Sequence, residues 1–262
     1  MATKQEIQAT LRAQINRREA KISAFRNRLD KFMAFNLDAI LGELESGELS
    51  ALESAKILGG LRQSLVEAGL DEQMSMLLDI YNDELNSIEE FFVLTTNKPI
   101  IYSNIDADVI DALVNFDIER TRGEIFQYAE ELKSTIMRSV LTGIPPNVNE
   151  LHQDIGDSVL NSIETELNTS VAGFNQSLNN AKAEEAGLNL YLYVGPDDDA
   201  TRPFCDETLH AKEPPIYTKE EIEELDNGQG LEVFVYGGGY NCRHQWSALD
   251  LETAKSLGYG EN

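Results

Sequence analysis

Apolar residues recur every three, four or seven positions through most of the first 187 residues, and this spacing predicts a succession of long helices. Ile7, Leu11, Ile15, Ile22, Phe25 and Leu29 form one stripe over residues 4–32, extending toward Leu44. Leu44-Glu-Ser-Gly-Glu-Leu-Ser50 is a break, with Ser50 as N-cap and Glu53 at the capping-box position of the next helix. That helix covers 51–68, is weakened by Gly59-Gly60 and stops at Gly69. Another runs from Asp71 to about Phe92 on Met74, Leu77, Leu78, Tyr81, Leu85 and Ile88. Asn97-Lys-Pro99 ends it, and Ile100-Ile101-Tyr102 is too short to assign. A further helix spans Asp106 to about Leu141 and is closed by Thr142-Gly-Ile-Pro-Pro146. The last helical stretch, Asn147 to Gly187, carries Val148, Leu151, Ile155, Val159, Ile163, Leu167, Val171, Phe174 and Leu178. So long a seam is a packing face.

After Gly187 the period changes. Leu190-Tyr-Leu-Tyr-Val194 and Leu231-Glu-Val-Phe-Val-Tyr236 alternate as strands, with turns at Gly195–Asp199 and Asn227-Gly-Gln-Gly230. Between them Thr218 caps a short helix to Leu225, with Glu221 completing a capping box. The chain is therefore mainly α with a small α+β C-terminal module: a helical arm or bundle over 1–187, a compact two-to-three-stranded module over 188–250, and a polar, frayed tail over 251–262.

Charge changes this picture in one place. The net charge is −25, which argues against general affinity for nucleic-acid phosphates. Residues 1–32 run the other way, with eight Lys or Arg against three acids, so they are +5 and the remainder −30. That segment is a solvated amphipathic face, or a basic arm in which Arg12, Arg17, Arg18, Lys21, Arg26 and Arg28 touch DNA or an acidic partner. The polar start has no apolar leader, no apolar run is long enough to span a membrane, and two cysteines do not make a disulfide scaffold. These features point to an intracellular, soluble protein.

The chemistry is concentrated late. Cys205, His210, Cys242 and His244 read as Cys-x4-His followed by Cys-x-His, a donor set that suits a structural zinc ion. The alternative is a pair of buried cysteines with His244 hydrogen-bonded in the core. A cysteine–histidine nucleophile, or a metal-dependent enzyme on the same four residues, would need a base and an open ligand position that the sequence does not display. Asp197-Asp198-Asp199 reads as a solvated turn that Arg202 and Arg243 could pair with. Gly237-Gly-Gly239 lacks the helix of a dinucleotide fingerprint; it lets backbone pass close to packed aromatics or take positive φ.

These stretches carry a resemblance. Tyr193-Val-Gly-Pro, Thr201-Arg-Pro-Phe-Cys205, Tyr217-Thr-Lys-Glu-Glu-Ile222, Asn227-Gly-Gln-Gly230 and Tyr236-Gly-Gly-Gly-Tyr-Asn-Cys-Arg-His-Gln-Trp246 are similar to the C-terminal module of phage Mu F-like minor head (head morphogenesis) proteins. Asn241-Cys-Arg-His244 resembles the family's terminal Asn-Cys-Arg-Cys/His signature, and Arg202, Phe204, Asn241, Arg243 and Trp246 are its signature positions here. The likeness covers about 155–248. The chain departs from many relatives in placing Phe204-Cys205 after Thr-Arg. The resemblance implies a non-enzymatic virion protein, made in the bacterial cytoplasm and associated with portal and capsid interior, self-associating through its helices and assisting DNA packaging or ejection. A portal-vertex adaptor is the alternative role.

Overall fold

The computed structural model describes residues 3–45, 51–101, 104–142 and 155–260. The break at 46–50 with the Ser50 cap, Tyr102, the Gly143–Pro146 stop, Val148, Leu151 and the terminal Glu261-Asn262 lie outside the described residues. Helix accounts for 73% of the chain, and the sheet is small, three-stranded and antiparallel.

The stripes become long helices. These are α1 (Lys4–Glu45), α2 (Ala51–Gly59), α3 (Leu61–Glu67), α4 (Leu70–Thr96), α5 (Asn104–Thr142) and α6 (Asp157–Glu185). Ile7, Leu11, Ile15, Ile22, Phe25 and Leu29 are all buried on α1, as their spacing requires. The expected single helix over 51–68 is two. Gly60 stands between them as the N-cap of α3 at φ −89°, ψ 0°, and glycine's low helix propensity makes this the weak point of the stretch. Gly69 at φ +101° stops α3, and Asn97 at φ 52° ends α4.

The chain forms two units: residues 1–21, 80–113 and 165–262 in the first, 22–79 and 114–164 in the second. The expected boundary near 187 is therefore not where the chain divides, since α1, α4, α5 and α6 each supply a stretch to both units. Among the described residues the second unit contains helices and no strand. Its core is built from Phe25, Leu29 and Met33 of α1, Leu61 and Leu65 of α3, Leu77 of α4, Tyr128, Leu132 and Ile136 of α5, and Ile163 of α6. Arg26 meets Glu164 at 3.1 Å, and Arg28 donates to Gln73 at 2.6 Å.

The first unit holds the sheet, β1 (Leu190–Val194), β2 (Ile216–Thr218) and β3 (Gln245–Leu249), in the order β2-β1-β3. Short helices fill the connections: α7 (Pro203–His210), α8 (Lys219–Glu223), α9 (Val233–Tyr236) and α10 (Leu251–Ser256). Alternation along the strands sorts the side chains. Leu192, Val194, Ile216 and Leu249 pack with Ile7, Leu11, Ile15 and Phe91. The other face carries Tyr191, Tyr193, Tyr217 and Trp246, with Trp246 4.3 Å from the Tyr193 ring and 5.3 Å from Tyr217.

Two local expectations are corrected. Leu231–Tyr236 is not a strand; Val233–Tyr236 is a helical turn that buries the adjacent Val233 and Phe234. Its carbonyls are held by the Trp246 indole (Val233, 2.9 Å) and the Asn180 amide (Phe234, 2.9 Å), which leaves no edge for a ladder. Residues 251–256 are not frayed. Asp250 caps α10 by accepting from the Thr253 amide at 2.6 Å, and Ala254 is fully buried against the sheet. The Thr218/Glu221 capping box forms as expected.

Within this unit α1, α4 and α6 meet around a buried ion pair. Glu84 accepts from Arg18 at 3.4 Å and from the Asn175 amide at 2.6 Å, and both charged side chains are 5–6% exposed. Among the described residues no helix is long and apolar enough to cross a membrane.

Candidate metal centre

Cys205, Cys242 and His244 come together beneath the aromatic face of the sheet. All three are buried, and their ligand atoms lie within 4.8 Å of one another. Cys205 sits on α7, whose first turn begins with Pro203, a residue suited to that position because its missing N–H would have no helical partner. Cys242 sits on the loop that follows α9, and His244 immediately precedes β3.

The loop is shaped for its sulfur. Gly237 (φ +51°), Gly239 (φ +99°) and Asn241 (φ 53°) take left-handed conformations. The turn aims two backbone donors at Cys242 Sγ, Gly238 N–H at 3.2 Å and His244 N–H at 3.4 Å. Gly238 passes so close that a Cβ there would lie 2.4 Å from Cys205 Sγ. A Cβ on Gly195 would lie 2.2 Å from the His244 ring. Both glycines are thus required by close contact with the cluster; for Gly238 the expected neighbours were packed aromatics, while the alternative of positive φ holds at Gly237 and Gly239.

Neighbouring side chains fix the cluster. Tyr193 donates to Cys205 Sγ at 3.3 Å and stacks on His244 with ring centres 5.4 Å apart, tilted 16°. Arg202 donates to the Gly238 carbonyl at 3.0 Å, so it braces the loop and does not pair with the acidic turn. Arg243 does pair there, with two bonds to Asp198 at 2.8 and 2.5 Å. That guanidinium holds the Asp198 carboxyl down at about 2. Asn227 and Gln229 clasp the loop through the carbonyls of Gly237 (3.0 Å) and Gly238 (3.1 Å).

The two sulfurs are 3.7 Å apart, close enough to share a hydrogen bond. A hydrogen bond from Cys205 pulls the Cys242 thiol well below the ordinary range, aided by donors from His244 and opposed by burial. Cys205 is pushed up by that same bond, then by burial and the charge on Cys242. Of the two sulfurs, Cys242 is therefore the one whose ionised form the surroundings favour, as a metal ligand requires.

Of the four residues expected as ligands, the structure brings three together and leaves out His210. Five positions on a helix rotate a side chain by about 140° from its starting direction, so Cys205 faces inward while His210 faces solvent. His210 lies 3.5 Å from Asp197 and 3.4 Å from Asp206, all three more than half exposed. It lines a cavity of about 190 Å³ that also involves Arg12 and Glu213.

The basic segment is likewise redistributed. Arg18 is buried on Glu84, Lys21 pairs with Asp83, and Arg26 and Arg28 bond within the helical unit. Arg12 and Arg17 are exposed. Four of the six cations expected to face DNA or a partner thus meet polar groups of adjacent helices, since a stripe beside packed acidic helices is neutralised locally.

Sequence reasoning missed a row of buried amides on α6. Gln176 brackets the backbone of Trp246, donating to its carbonyl at 2.8 Å and accepting its N–H at 2.8 Å. Asn179 reaches the same carbonyl at 3.2 Å. These amides satisfy the free edge of β3, a need that every buried edge strand has. The signal was legible as Asn175-Gln176-Ser-Leu-Asn-Asn180, a run of amides interrupting an apolar seam.

The cluster fits a metal ion on three counts. Two sulfurs and an imidazole are the donors that zinc takes. The buried Nε2 of His244 has no hydrogen-bond partner, a costly state unless something occupies it. The loop's N–H donors already favour a thiolate. Comparison of the chain with protein-family models, curated proteins and solved structures returned no match.

Proposed function

We propose that this chain is a minor structural protein of a tailed-phage head, acting at the portal or capsid interior, with a C-terminal module clipped by zinc on Cys205, Cys242 and His244. One observation carries the reading. The separated stretches that resemble the Mu F-like module, around Tyr193–Gly195, Arg202–Cys205 and Asn241–Trp246, contribute to a single buried cluster. A motif whose members share one structural task is more informative than the same residues scattered.

In this role the zinc is structural. It ties α7, the loop after α9 and the start of β3 at a place where the connections are long and regular structure is scarce. The long helices present the module, and association of copies or docking to a portal would use their exposed faces.

The test is mass spectrometry of purified tailed particles from the host that encodes the chain. Peptides from α1 and from the C-terminal module are expected together, at a few copies per head. Intact particles that lack the chain would contradict the assignment.

A further inference from the structure

We propose that Asp197, Asp206 and His210 form a second cation site, open to solvent, that takes an exchangeable first-row divalent ion. It does not depend on the sulfur cluster. The three side chains each turn one ligand atom inward, and these atoms lie within 4.8 Å of one another. One imidazole with two carboxylates is a donor set for zinc or manganese, whereas magnesium and calcium favour oxygen alone.

The spacing fits a shared ion better than direct pairing. His210 Nε2 lies 3.5 Å from Asp197 and 3.4 Å from Asp206. A charge-assisted hydrogen bond would draw nitrogen and oxygen to about 2.7–2.9 Å. Donors arranged tetrahedrally around one ion at about 2.1 Å stand about 3.4 Å apart.

Two elements bring the ligands together. Asp206 and His210 are one turn apart on α7 and share a face. Asp197 belongs to a closed turn, in which the Asp198 N–H donates to the Thr201 hydroxyl at 2.9 Å and that hydroxyl donates to the Pro196 carbonyl at 3.1 Å. Asp198 is held by both arms of Arg243, which leaves Asp197 as the acid of this turn that meets α7. Asp197 and His210 also line the cavity of about 190 Å³, so there is room for the waters that complete an ion's shell. Arg12 and Glu213 on the same wall offset each other's charge, and the net charge of −25 draws cations to the surface as a whole. With all three ligands more than half exposed, the ion exchanges with solvent, and metal retained through purification belongs to the sulfur cluster.

Manganese(II) is the probe, because it takes oxygen and nitrogen ligands and leaves thiolates to softer metals. The full-length protein is titrated with it, and the free ion is followed by its electron paramagnetic resonance signal. A single saturable site per chain is expected, emptied by added zinc. His210→Ala and Asp197→Asn should each weaken it by about tenfold or more. Asp199→Asn removes the same charge from the same turn without touching the three ligands, and it should bind as wild type does. Absence of a saturable site, or ligand variants that bind as wild type does, overturns the inference. So does an Asp199→Asn protein as weak as His210→Ala, which would show only diffuse attraction to an acidic surface. None of these results bears on the sulfur cluster, whose metal is read separately.

Discussion

Replacing Cys242 by serine should abolish metal binding and lower thermal stability together. Cys242 is the sulfur that receives both backbone donors, from Gly238 and His244, and it is the thiol held most strongly toward the thiolate. A hydroxyl at that position can accept the same hydrogen bonds, but it does not ionise near neutrality and is a poor zinc donor. A ligand present at about a thousand times its dissociation constant stabilises the fold by about 4 kcal/mol. In a chain of this size that corresponds to a shift on the order of 10 °C. Melting curves with and without a chelator provide the check. Wild type should lose stability when chelated, and Cys242→Ser should start low and show no chelator effect. His210→Ala is the control, because an exposed histidine paired with two aspartates contributes little; its melting behaviour should match wild type in both conditions. A chelator-sensitive Cys242→Ser protein would remove this cysteine from the site.

The second large effect is expected at the ion pair between α1, α4 and α6. Glu84→Leu leaves the Arg18 guanidinium buried without its anion and the Asn175 amide without its acceptor. Removal of one partner from a buried pair costs about 3–5 kcal/mol, chiefly because the remaining charge is stranded away from water. The double variant Arg18→Met/Glu84→Leu should recover most of that loss, since a well-packed apolar pair replaces two desolvated charges. Urea denaturation of the single and double variants measures both values. If Glu84→Leu alone costs no more than an exposed substitution, the pair is solvated and does not hold these helices in register.

The helices were legible because their signal is local and repeated. Ile7 through Leu29 on α1 and Ile125 through Ile136 on α5 occupy one face each, and burial follows that face. Short elements were less legible. Ile216–Thr218 is only three residues long, and its strand identity comes from pairing with β1, where Tyr191 faces Tyr217. Val233–Tyr236 alternates like a strand but is claimed by side-chain donors from Trp246 and Asn180 that lie far away in sequence. The ending Leu251–Ser256 looks polar, yet Ala254 is buried in the core cluster, and Leu257 and Tyr259 just beyond pack against it.

The candidate site divides along the same line. Cys242 and His244 were readable as a pair because only one residue separates them. Cys205 was readable from its neighbours Arg202 and Phe204. His210 was misplaced because residue spacing does not record that α7 turns it to solvent. Gly195, Gly238 and Tyr193 gained their meaning only through contacts across the fold: two glycines that admit a ligand residue, and a phenol that touches sulfur and imidazole at once.

The central claim is that Cys205, Cys242 and His244 bind a metal that stabilises this module. Native mass spectrometry of the full-length protein, purified without added metal or chelator, tests it most directly. One zinc per chain, absent from Cys242→Ser, is the predicted result. A wild-type protein that carries no metal and takes up none when zinc is supplied would contradict it.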